Sequence, residues 1–279
     1  MQRVIVTGGF DDLRFEGFRF LEAASKIGPL VVMLWSDEAI EKASGKPPKF
    51  PQAEREYFVR SIRYVQDVIS LSGTSHGIGE GGSLPTLLDG TRPDAWVVHE
   101  RDDHPLQRKW AQREGLVYHV IRKAQFDEPL PPPPVCPVNP QSPRKKVVVT
   151  GCFDWFHSGH VRFTEEVSEL GDLYVVVGHD ENIRLLKGEG HPLFPATERR
   201  YVLGSIKYVT LALISTGDGW MDAEPEFEKI KPDIYAVNED GDRPEKRAFC
   251  EEHGIEYRVL KRLPKEGLPR RQSTVLRGF

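Results

Sequence analysis

Short apolar runs alternate along this chain with stretches in which apolar residues recur at the spacing of an α-helix. In the C-terminal half, uninterrupted runs predict buried strands at residues 147–150, 173–177, 209–214, 234–237 and 257–260. Helical spacing predicts helices at residues 161–170, 182–186 and 197–206. Strands that alternate with helices form right-handed βαβ units, so we expect an α/β protein with Rossmann-like, doubly wound parallel sheets.

The same pattern occurs twice in the chain. RVIVTGGFDD, which begins at Arg3, matches KVVVTGCFDW, which begins at Lys146, and EREYFVRSIRYV from Glu54 matches ERRYVLGSIKYV from Glu198. Between the copies lies a stretch with eight of the 22 prolines, a composition that favours an extended, semi-rigid spacer. We therefore predict two tandem domains, residues 1–125 and 146–279, joined by a proline-rich linker at residues 126–145.

Composition and charge narrow the class of protein. The 279 residues are 39% hydrophobic and 29% charged, the balance of a soluble globular protein, and no apolar run is long enough to span a membrane. The formal net charge of −4, with acidic and basic residues interspersed, leaves no basic footprint for nucleic acid. The three cysteines lack metal-like spacing and are expected to be free thiols, which predicts a cytoplasmic protein.

The candidate chemistry lies directly after the first strand of the second copy. The segment GCFDWFHSGH, which ends at His160, follows that strand and opens a predicted helix. At such a turn, backbone amides and the helix dipole face an anion. We expect the imidazoles of His157 and His160 to donate hydrogen bonds to phosphate oxygens, and Gly159 to let the backbone approach closely.

The four residues from His157 to His160 resemble the HxGH signature of the cytidylyltransferase-like nucleotidylyltransferase superfamily. Members of that superfamily join a nucleoside triphosphate to a phosphorylated small molecule and release pyrophosphate. The tandem arrangement resembles that of ethanolamine-phosphate cytidylyltransferases, whereas the stretch RLLKGEGHP is equally similar to heptose-phosphate adenylyltransferases.

The resemblance implies roles for further residues. His157, His160 and Lys187 would be catalytic, with the lysine held against the phosphates as a mobile point charge. Asp154 and Asp180 would contact the substrate. The nucleotide would be bound by Gly151, Cys152, Phe153, Gly159, Arg199, Ser273 and Thr274.

The C-terminal segment departs from the family pattern. The loop before Ser273 differs from the family's short RTxGxST form, which leaves open which upstream arginine contacts phosphate. The arginines available there are Arg262, Arg270 and Arg271.

Some of these residues have simpler interpretations. His157 and His160 could bind zinc together with Cys152, although no fourth ligand is spaced for such a site. Lys187 could be a solvated surface lysine. Asp180 follows a predicted buried strand, where a helix N-cap explains it almost as well as substrate binding.

The first copy lacks the residues that would handle phosphate. Arg14, Gly17 and Ser44 occupy the positions of the two histidines and the lysine, and no Ser-Thr motif precedes the linker. We therefore predict a non-catalytic first domain that acts as an intrachain pseudo-dimer partner for the second. The alternative is that Arg14 and nearby basic residues still bind a phosphorylated effector.

The predicted reaction is in-line attack by an acceptor phosphate oxygen on the α-phosphorus of a nucleoside triphosphate. Because a phosphate monoester has its second pKa at about 6, the attacking group needs no strong general base. Mg²⁺ is expected to bridge triphosphate oxygens while it keeps most of its waters, so we predict no dedicated protein metal site.

The choice of nucleotide and acceptor rests on family analogy. We favour transfer of CMP from CTP to a phosphorylated small alcohol such as ethanolamine phosphate or glycerol phosphate. The alternatives are adenylyl transfer from ATP to a sugar phosphate, and a non-catalytic nucleotide-binding protein.

Overall fold

The computed structural model describes residues 2–74, 90–126, 129–130 and 142–276. Contacts between Cα atoms divide the chain into two compact units, Met1–Pro129 and Leu130–Phe279. Each unit contains a five-stranded sheet in which every paired strand is parallel, and helices connect the strands. The expected α/β class with two tandem Rossmann-like domains is therefore confirmed. Most of the predicted linker lies outside the described residues, and the predicted domain bounds stay a prediction.

In the first unit the sheet has the strand order β3-β2-β1-β4-β5. Its elements are β1 (Val4–Gly8), α1 (Phe15–Ser25), β2 (Leu30–Leu34), α2 (Asp37–Ser44), α3 (Gln52–Arg60), β3 (Asp67–Ser70), β4 (Ala95–His99), α4 (Pro105–Arg113) and β5 (Val117–Ile121).

The second unit has the corresponding order β8-β7-β6-β9-β10. Its elements are β6 (Lys146–Gly151), α5 (Ser158–Leu170), β7 (Asp172–Val177), α6 (Asp180–Lys187), α7 (Ala196–Gly204), β8 (Leu211–Ile214), α8 (Glu224–Ile230), β9 (Ile234–Asn238), α9 (Pro244–His253), β10 (Glu256–Leu260) and α10 (Ser273–Leu276). All five predicted strands and all three predicted helices of this unit are present. Helices α8 and α9 were not predicted, because each starts at a proline-containing, charge-rich turn and buries few apolar side chains.

The two sheets also share their register. Val4 pairs with Leu30 in the first unit and Val147 with Leu173 in the second, and 147 − 4 and 173 − 30 are both 143. Because a shift of one residue would turn every side chain to the other face of the sheet, equal registers mean that the same positions form both cores. The duplication therefore extends from sequence to strand pairing.

The central strands of the second unit are buried along most of their length, as expected for a parallel sheet that is covered on both faces. Within the sheet, β7 and β8 follow on one side of β6. The chain then crosses over, and β9 and β10 lie on the other side of β6. The carboxyl ends of β6 and β9 thus form a topological switch point, where open α/β sheets bind ligands. Among the described residues, no helix combines the length and apolar character needed to cross a bilayer.

Candidate active site

A cavity of about 300 Å³ opens at this switch point of the second unit. The cavity is lined by eight of the residues that the sequence assigned to the site: Gly151, Cys152, Phe153, Asp154, Gly159, His160, Lys187 and Ser273. The other lining residues are Thr150, Phe163, His191, Val237, Asn238, Asp240, Gly241, Lys246, Arg262 and Gln272.

The loop between β6 and α5 takes an unusual backbone conformation. Phe153 has a φ of +52°, in the left-handed region that bulky residues rarely adopt. Its ring folds back over Gly151, where an added Cβ would lie only 2.9 Å from a ring carbon. Phe10 in the first unit has the same conformation, with a φ of +47°. Because the first unit lacks the HxGH residues, the strained turn belongs to the duplicated fold rather than to the chemistry alone.

His157 and His160 lie together at the start of α5, and their ring centroids are 4.0 Å apart with the planes nearly parallel. His157 caps the helix, since its Nδ1 accepts a hydrogen bond from the backbone N–H of Gly159 at 3.0 Å. It is only 2% exposed and does not line the cavity. Of the two predicted catalytic histidines, therefore, His160 faces the cavity and His157 lies behind it.

His160 sits in an aromatic setting that favours the neutral imidazole. Its ring stacks on Phe156 with centroids 5.4 Å apart and meets the edge of Phe153 at 5.3 Å. Burial holds the pKa of His160 well below its usual range, and the nearby cationic or protonatable groups His157, Arg262 and Lys187 lower it further. A neutral imidazole donates one hydrogen bond to an anion without the cost of burying a charge before the anion binds.

Three cationic side chains reach the cavity from different elements. Lys187 ends α6, just before Gly188, and makes no hydrogen bond or ion pair within the described residues. Lys246, on α9, is 8% exposed, lies over the Tyr235 ring at 5.4 Å, and has its Nζ 3.5 Å from Oγ1 of Thr150. Burial lowers the pKa of Lys246, with Asp222 opposing that effect.

Arg262 supplies the third cation, in the stretch between β10 and α10. Its guanidinium pairs with the carboxylate of Asp240, and Nη2 also donates to the carbonyl of Arg271 at 3.3 Å. Of the three arginines that the sequence left open, Arg262 is the one that lines this cavity. Arg270 instead lies 3.7 Å from Glu239.

Arg199 and Asp180, which the sequence assigned to ligands, do not line the cavity. The Arg199 side chain is 1% exposed, and its guanidinium donates to the carbonyls of Phe194, Cys152 and Gly178 and to Asp180 Oδ1, at 2.6–2.8 Å. Asp180 also accepts from the Ala196 amide. This geometry favours a role in holding the loop at Cys152 against α6 and α7, not direct contact with the nucleotide or substrate.

The same bonds recur in the first unit. The guanidinium of Arg55 donates to the carbonyls of Phe50 and Gly9 and to the carboxylate of Asp37. These partners correspond to Phe194, Cys152 and Asp180 in the repeat. Because the first unit makes these hydrogen bonds without the HxGH residues, we infer that the bonds stabilise the fold.

Asp154 faces the cavity but has its oxygens engaged by the backbone. They accept hydrogen bonds from the amides of Leu193 and Phe194 at 2.8–3.0 Å. In the first unit Asp11 accepts from the amides of Lys49 and Phe50 in the same way. The carboxylate therefore fixes the segment before α7, and a direct contact with substrate stays a prediction.

The C-terminal serine approaches the site from α10. Ser273 lines the cavity, and its hydroxyl lies 3.3 Å from the carbonyl of Trp155 in the loop that carries HxGH. Thr274 belongs to the same helix, but its side chain lies outside the described part of the structure.

Comparison with known proteins now adds to this geometry. A family model described as cytidylyltransferase-like matches residues 148–252, which include the loop, both histidines and two of the three cavity cations. FAD synthase from Ferroglobus placidus is 38% identical over 125 residues, covering 44% of this chain and 78% of that protein. The chain belongs to the cytidylyltransferase-like nucleotidylyltransferases.

Further relatives of this nucleotidylyltransferase include FAD synthase from Thermococcus kodakarensis, which is 38% identical over 128 residues and is covered to 80% of its length. The bifunctional protein HldE from Campylobacter concisus is also 38% identical, over 102 residues. That match covers 36% of this chain but only 21% of HldE, so it concerns one part of a much longer protein.

The zinc alternative for the histidines has no support in the described residues of the nucleotidylyltransferase. Across residues 2–74, 90–126 and 142–276, no three His, Cys, Asp or Glu side chains come together in a way that could hold a metal ion. Burial also raises the pKa of the Cys152 thiol, which disfavours the thiolate that zinc prefers.

Lys246 and Asp240 could not be assigned from the sequence because α9 and the turn before it were not predicted. A signal was nevertheless present in the repeat. The match between RPDAWVVHERD and KPDIYAVNEDG continues without a gap to position 246, where the first copy has Gln107. Loss of a cation at that position parallels the loss of the histidines and of the lysine on α6.

Proposed function

We propose that the second unit transfers AMP from ATP to a phosphorylated acceptor and releases pyrophosphate. The observation that carries this proposal is the cavity at the β6–β9 switch point. There, His160 and the start of α5 face three cations, Lys187, Lys246 and Arg262. Cations and helix amides stabilise the charge that builds on phosphoryl oxygens during in-line displacement, and no further general base is required.

Within this proposal each group has its own task. The α5 amides and His160 donate hydrogen bonds to the α-phosphate, which the acceptor attacks. The flexible Lys187 side chain stays in contact with the pyrophosphate as it leaves. Lys246 and Arg262 lie on the β9 side, where they would hold the acceptor phosphate. His157 and Arg199 act as positioning residues, because they cap the helix and anchor the loop.

The relatives favour ATP over the CTP that family analogy suggested. The proteins from Ferroglobus placidus and Thermococcus kodakarensis both carry the name FAD synthase, and FAD consists of a flavin phosphate joined to an adenylyl group. A flavin phosphate is therefore the first acceptor to test. Sugar phosphates come second, in keeping with the resemblance of RLLKGEGHP to adenylyltransferases, and ethanolamine phosphate and glycerol phosphate come third.

Mg²⁺ fits the chemistry of this cavity. Mg²⁺ would supply positive charge to the triphosphate, and it would need few protein ligands because it keeps most of its waters. Asp240 is the carboxylate available to those waters, since it is 54% exposed at the cavity whereas the Asp154 oxygens accept backbone amides. We place the reaction in the cytoplasm, as the cysteine usage suggests.

The test is a pyrophosphate-release screen of the full chain with Mg²⁺. It crosses ATP, CTP, GTP and UTP with flavin mononucleotide, a heptose phosphate, glycerol phosphate and ethanolamine phosphate. We expect the highest kcat/KM with ATP, and loss of turnover when EDTA removes the metal. A preference for CTP with a phospho-alcohol would overturn the nucleotide and acceptor while keeping the reaction class. Tight nucleotide binding without turnover on any acceptor would favour a non-catalytic binding protein.

A further inference from the structure

The first unit has a cavity of its own at the carboxyl ends of β1 and β4, the position that corresponds to the active site. Its volume is about 710 Å³, against about 300 Å³ in the second unit. That space is large enough for a molecule of nucleoside size. The cavity is present although the first unit lacks the residues that would handle phosphate.

The charges around this cavity disfavour a polyphosphate. The Arg14 guanidinium, which stands where His157 stands in the second unit, pairs with Asp12. Arg101 lies 3.9 Å from Glu16 and 3.6 Å from Asp102. Each of the two lining arginines therefore lies beside a carboxylate of the same lining. The active site has three cations, and within the described residues only Arg262 among them forms an ion pair with an acidic side chain.

Aromatic side chains supply most of the apolar wall. Phe10, Phe20, Trp35 and Trp96 all line the cavity. Aromatic faces of this kind stack planar heteroaromatic rings, and such stacking tolerates different ring systems. The lining therefore suits a flat ring better than an aliphatic chain.

Two buried polar atoms in this wall, Nε1 of Trp96 and Nε2 of His99, make no hydrogen bond within the described residues. Trp96 is fully buried, and within the described residues its Nε1–H donates to no acceptor. Its counterpart in the second unit, Tyr235, is satisfied by a 2.6 Å hydrogen bond with Thr150. In the first unit the equivalent threonine, Thr7, already accepts from Nε1 of Trp35 at 2.7 Å. Buried donors without acceptors are rare in folded proteins, and this one sets the floor of the first cavity apart from that of the second.

A carboxylate lies close to the aromatic wall. Nδ1 of His99 accepts from the Arg101 amide at 3.1 Å, and its Nε2 lies 3.2 Å from Oε1 of Glu16 without the geometry of a hydrogen bond. The Glu16 side chain is 41% exposed, which leaves its other oxygen open to a ligand. Carboxylates in Rossmann-like folds accept hydrogen bonds from sugar hydroxyls.

We propose that this cavity binds an uncharged nucleoside-like molecule, whose planar heteroaromatic ring packs against the aromatic wall and whose sugar or polyol hydroxyls donate to Glu16. The ligand carries no phosphate, since four carboxylates, Asp11, Asp12, Glu16 and Asp102, outnumber the two arginines of the lining. The first unit is thus a second ligand site with chemistry opposite to that of the active site. This proposal does not depend on the function of the second unit.

The test is isothermal titration calorimetry of the full chain with adenosine, cytidine and riboflavin as probes. Each titration is run with saturating ATP, which fills any nucleotide site in the second unit, and a separate ATP titration counts that site. We expect at least one probe to bind once per chain and to quench tryptophan fluorescence, since Trp35 and Trp96 line the cavity. The ranking of nucleosides against riboflavin identifies the ring system.

Variants then locate the binding. Glu16→Ala should weaken the probe about 10- to 100-fold, the usual effect of losing a hydrogen bond to a charged group, whereas Glu16→Gln should keep most of the affinity because its amide oxygen still accepts. Asp102→Ala, at the exposed rim, should leave the affinity for the uncharged probe nearly unchanged, because Asp102 makes no proposed contact with it. Glu22→Ala, elsewhere on α1, is the matched control, and pyrophosphate release should be unchanged in all four variants.

Three results would overturn the proposal. In the first, no probe binds at millimolar concentration. In the second, the Glu16→Ala variant binds the probe as tightly as the unmodified chain. In the third, ATP or inorganic phosphate binds at a second site that Glu16→Ala strengthens, which would instead establish a phosphorylated effector at Arg14.

Discussion

In the proposed reaction, His160 is the imidazole that donates from α5 to the substrate phosphates. It lines the cavity, whereas His157 lies behind it as the helix cap. His160→Ala should lower kcat about 10²–10³-fold, the usual effect of removing one donor that acts on transition-state charge. Steady-state pyrophosphate release measures this, with His253→Ala on the exposed end of α9 as the control. Turnover within a few-fold of the unmodified chain would place the reacting phosphate elsewhere.

The lowered pKa of His160 also makes stability depend on pH. In the unfolded chain this histidine takes up a proton as the pH falls through about 6.5, whereas in the folded chain it stays neutral to a much lower pH. The unfolded state therefore binds more protons below pH 6.5, and stability must fall as the pH falls. The loss from this one group is about 1.4 kcal/mol per pH unit.

Urea unfolding of the ligand-free chain at pH 7.0 and pH 5.5 measures that loss. His160→Asn should have a free energy of unfolding that decreases less over this interval, by about 1 kcal/mol, since the other titrating groups are retained. Equal pH dependence in the two proteins would mean that His160 is protonated normally in the fold.

Lys246 carries a structural cost and, in the proposed reaction, binds the acceptor phosphate. It is nearly buried, and burial lowers its pKa, so its charge is expensive to hold in the empty site. Lys246→Met should lower kcat/KM about 10- to 100-fold through loss of a charge-assisted contact, while the melting temperature stays the same or rises. Lys207→Met is a matched control, because Lys207 also lies 5.4 Å over a tyrosine ring but on the exposed surface. Lower stability together with unchanged kcat/KM would make Lys246 a packing residue.

At the scale of elements, the buried arginine on α3 and on α7 connects three segments in each unit. Arg55 and Arg199 both join a strand–helix loop to the start of the next helix and to the segment that precedes their own helix. Removing either leaves buried carbonyl groups without a donor, and Arg199→Met and Arg55→Met should each lower the free energy of unfolding by about 3 kcal/mol. Chemical denaturation measures both.

Comparison of Arg199→Met with Arg55→Met distinguishes a positioning role of Arg199 from direct contact with the nucleotide. At a temperature where both variants stay folded, Arg199→Met should lower kcat because the Cys152 loop loses its anchor, whereas Arg55→Met should leave turnover unchanged. If Arg199 touched the nucleotide, as the family resemblance implies, its loss would raise KM for ATP with little change in stability. That outcome would contradict the positioning role.

Strands and helices could be predicted from the sequence where their buried apolar residues form a regular pattern. The strands of the second unit were found because continuous β-branched and aliphatic runs mark a sheet that is covered on both faces, and α5 because its apolar positions recur at helical spacing. Helices α8 and α9 have a weaker apolar pattern, since about half of their residues are charged. Arg199 was assigned to the nucleotide because a guanidinium suits phosphate and backbone carbonyls alike, and only its bonds distinguish the two uses.

At the scale of the whole chain, duplication has kept one scaffold and changed its chemistry. Strand order, register, the strained phenylalanine and the buried arginine are shared by the two units. The cavity lining differs, with three cations in the second unit and arginines matched by carboxylates in the first. This difference in charge supports the prediction that only the second unit handles phosphate. A role for the first unit as an intrachain partner of the second stays a prediction.

This division predicts that all turnover belongs to the second unit. In the full chain, the double variant His160→Ala with Lys187→Ala should reduce pyrophosphate release to the rate of the enzyme-free reaction, because the first unit has Gly17 and Ser44 at those positions. Arg14→Ala, which changes the corresponding loop of the first unit, is the control and should keep full activity. ATP titration of the unmodified chain should give one site per chain, since the carboxylates around the first cavity repel a triphosphate. Residual turnover in the double variant that disappears on adding Arg14→Ala would show a second active site, and would mean that the first unit handles phosphate despite its acidic lining.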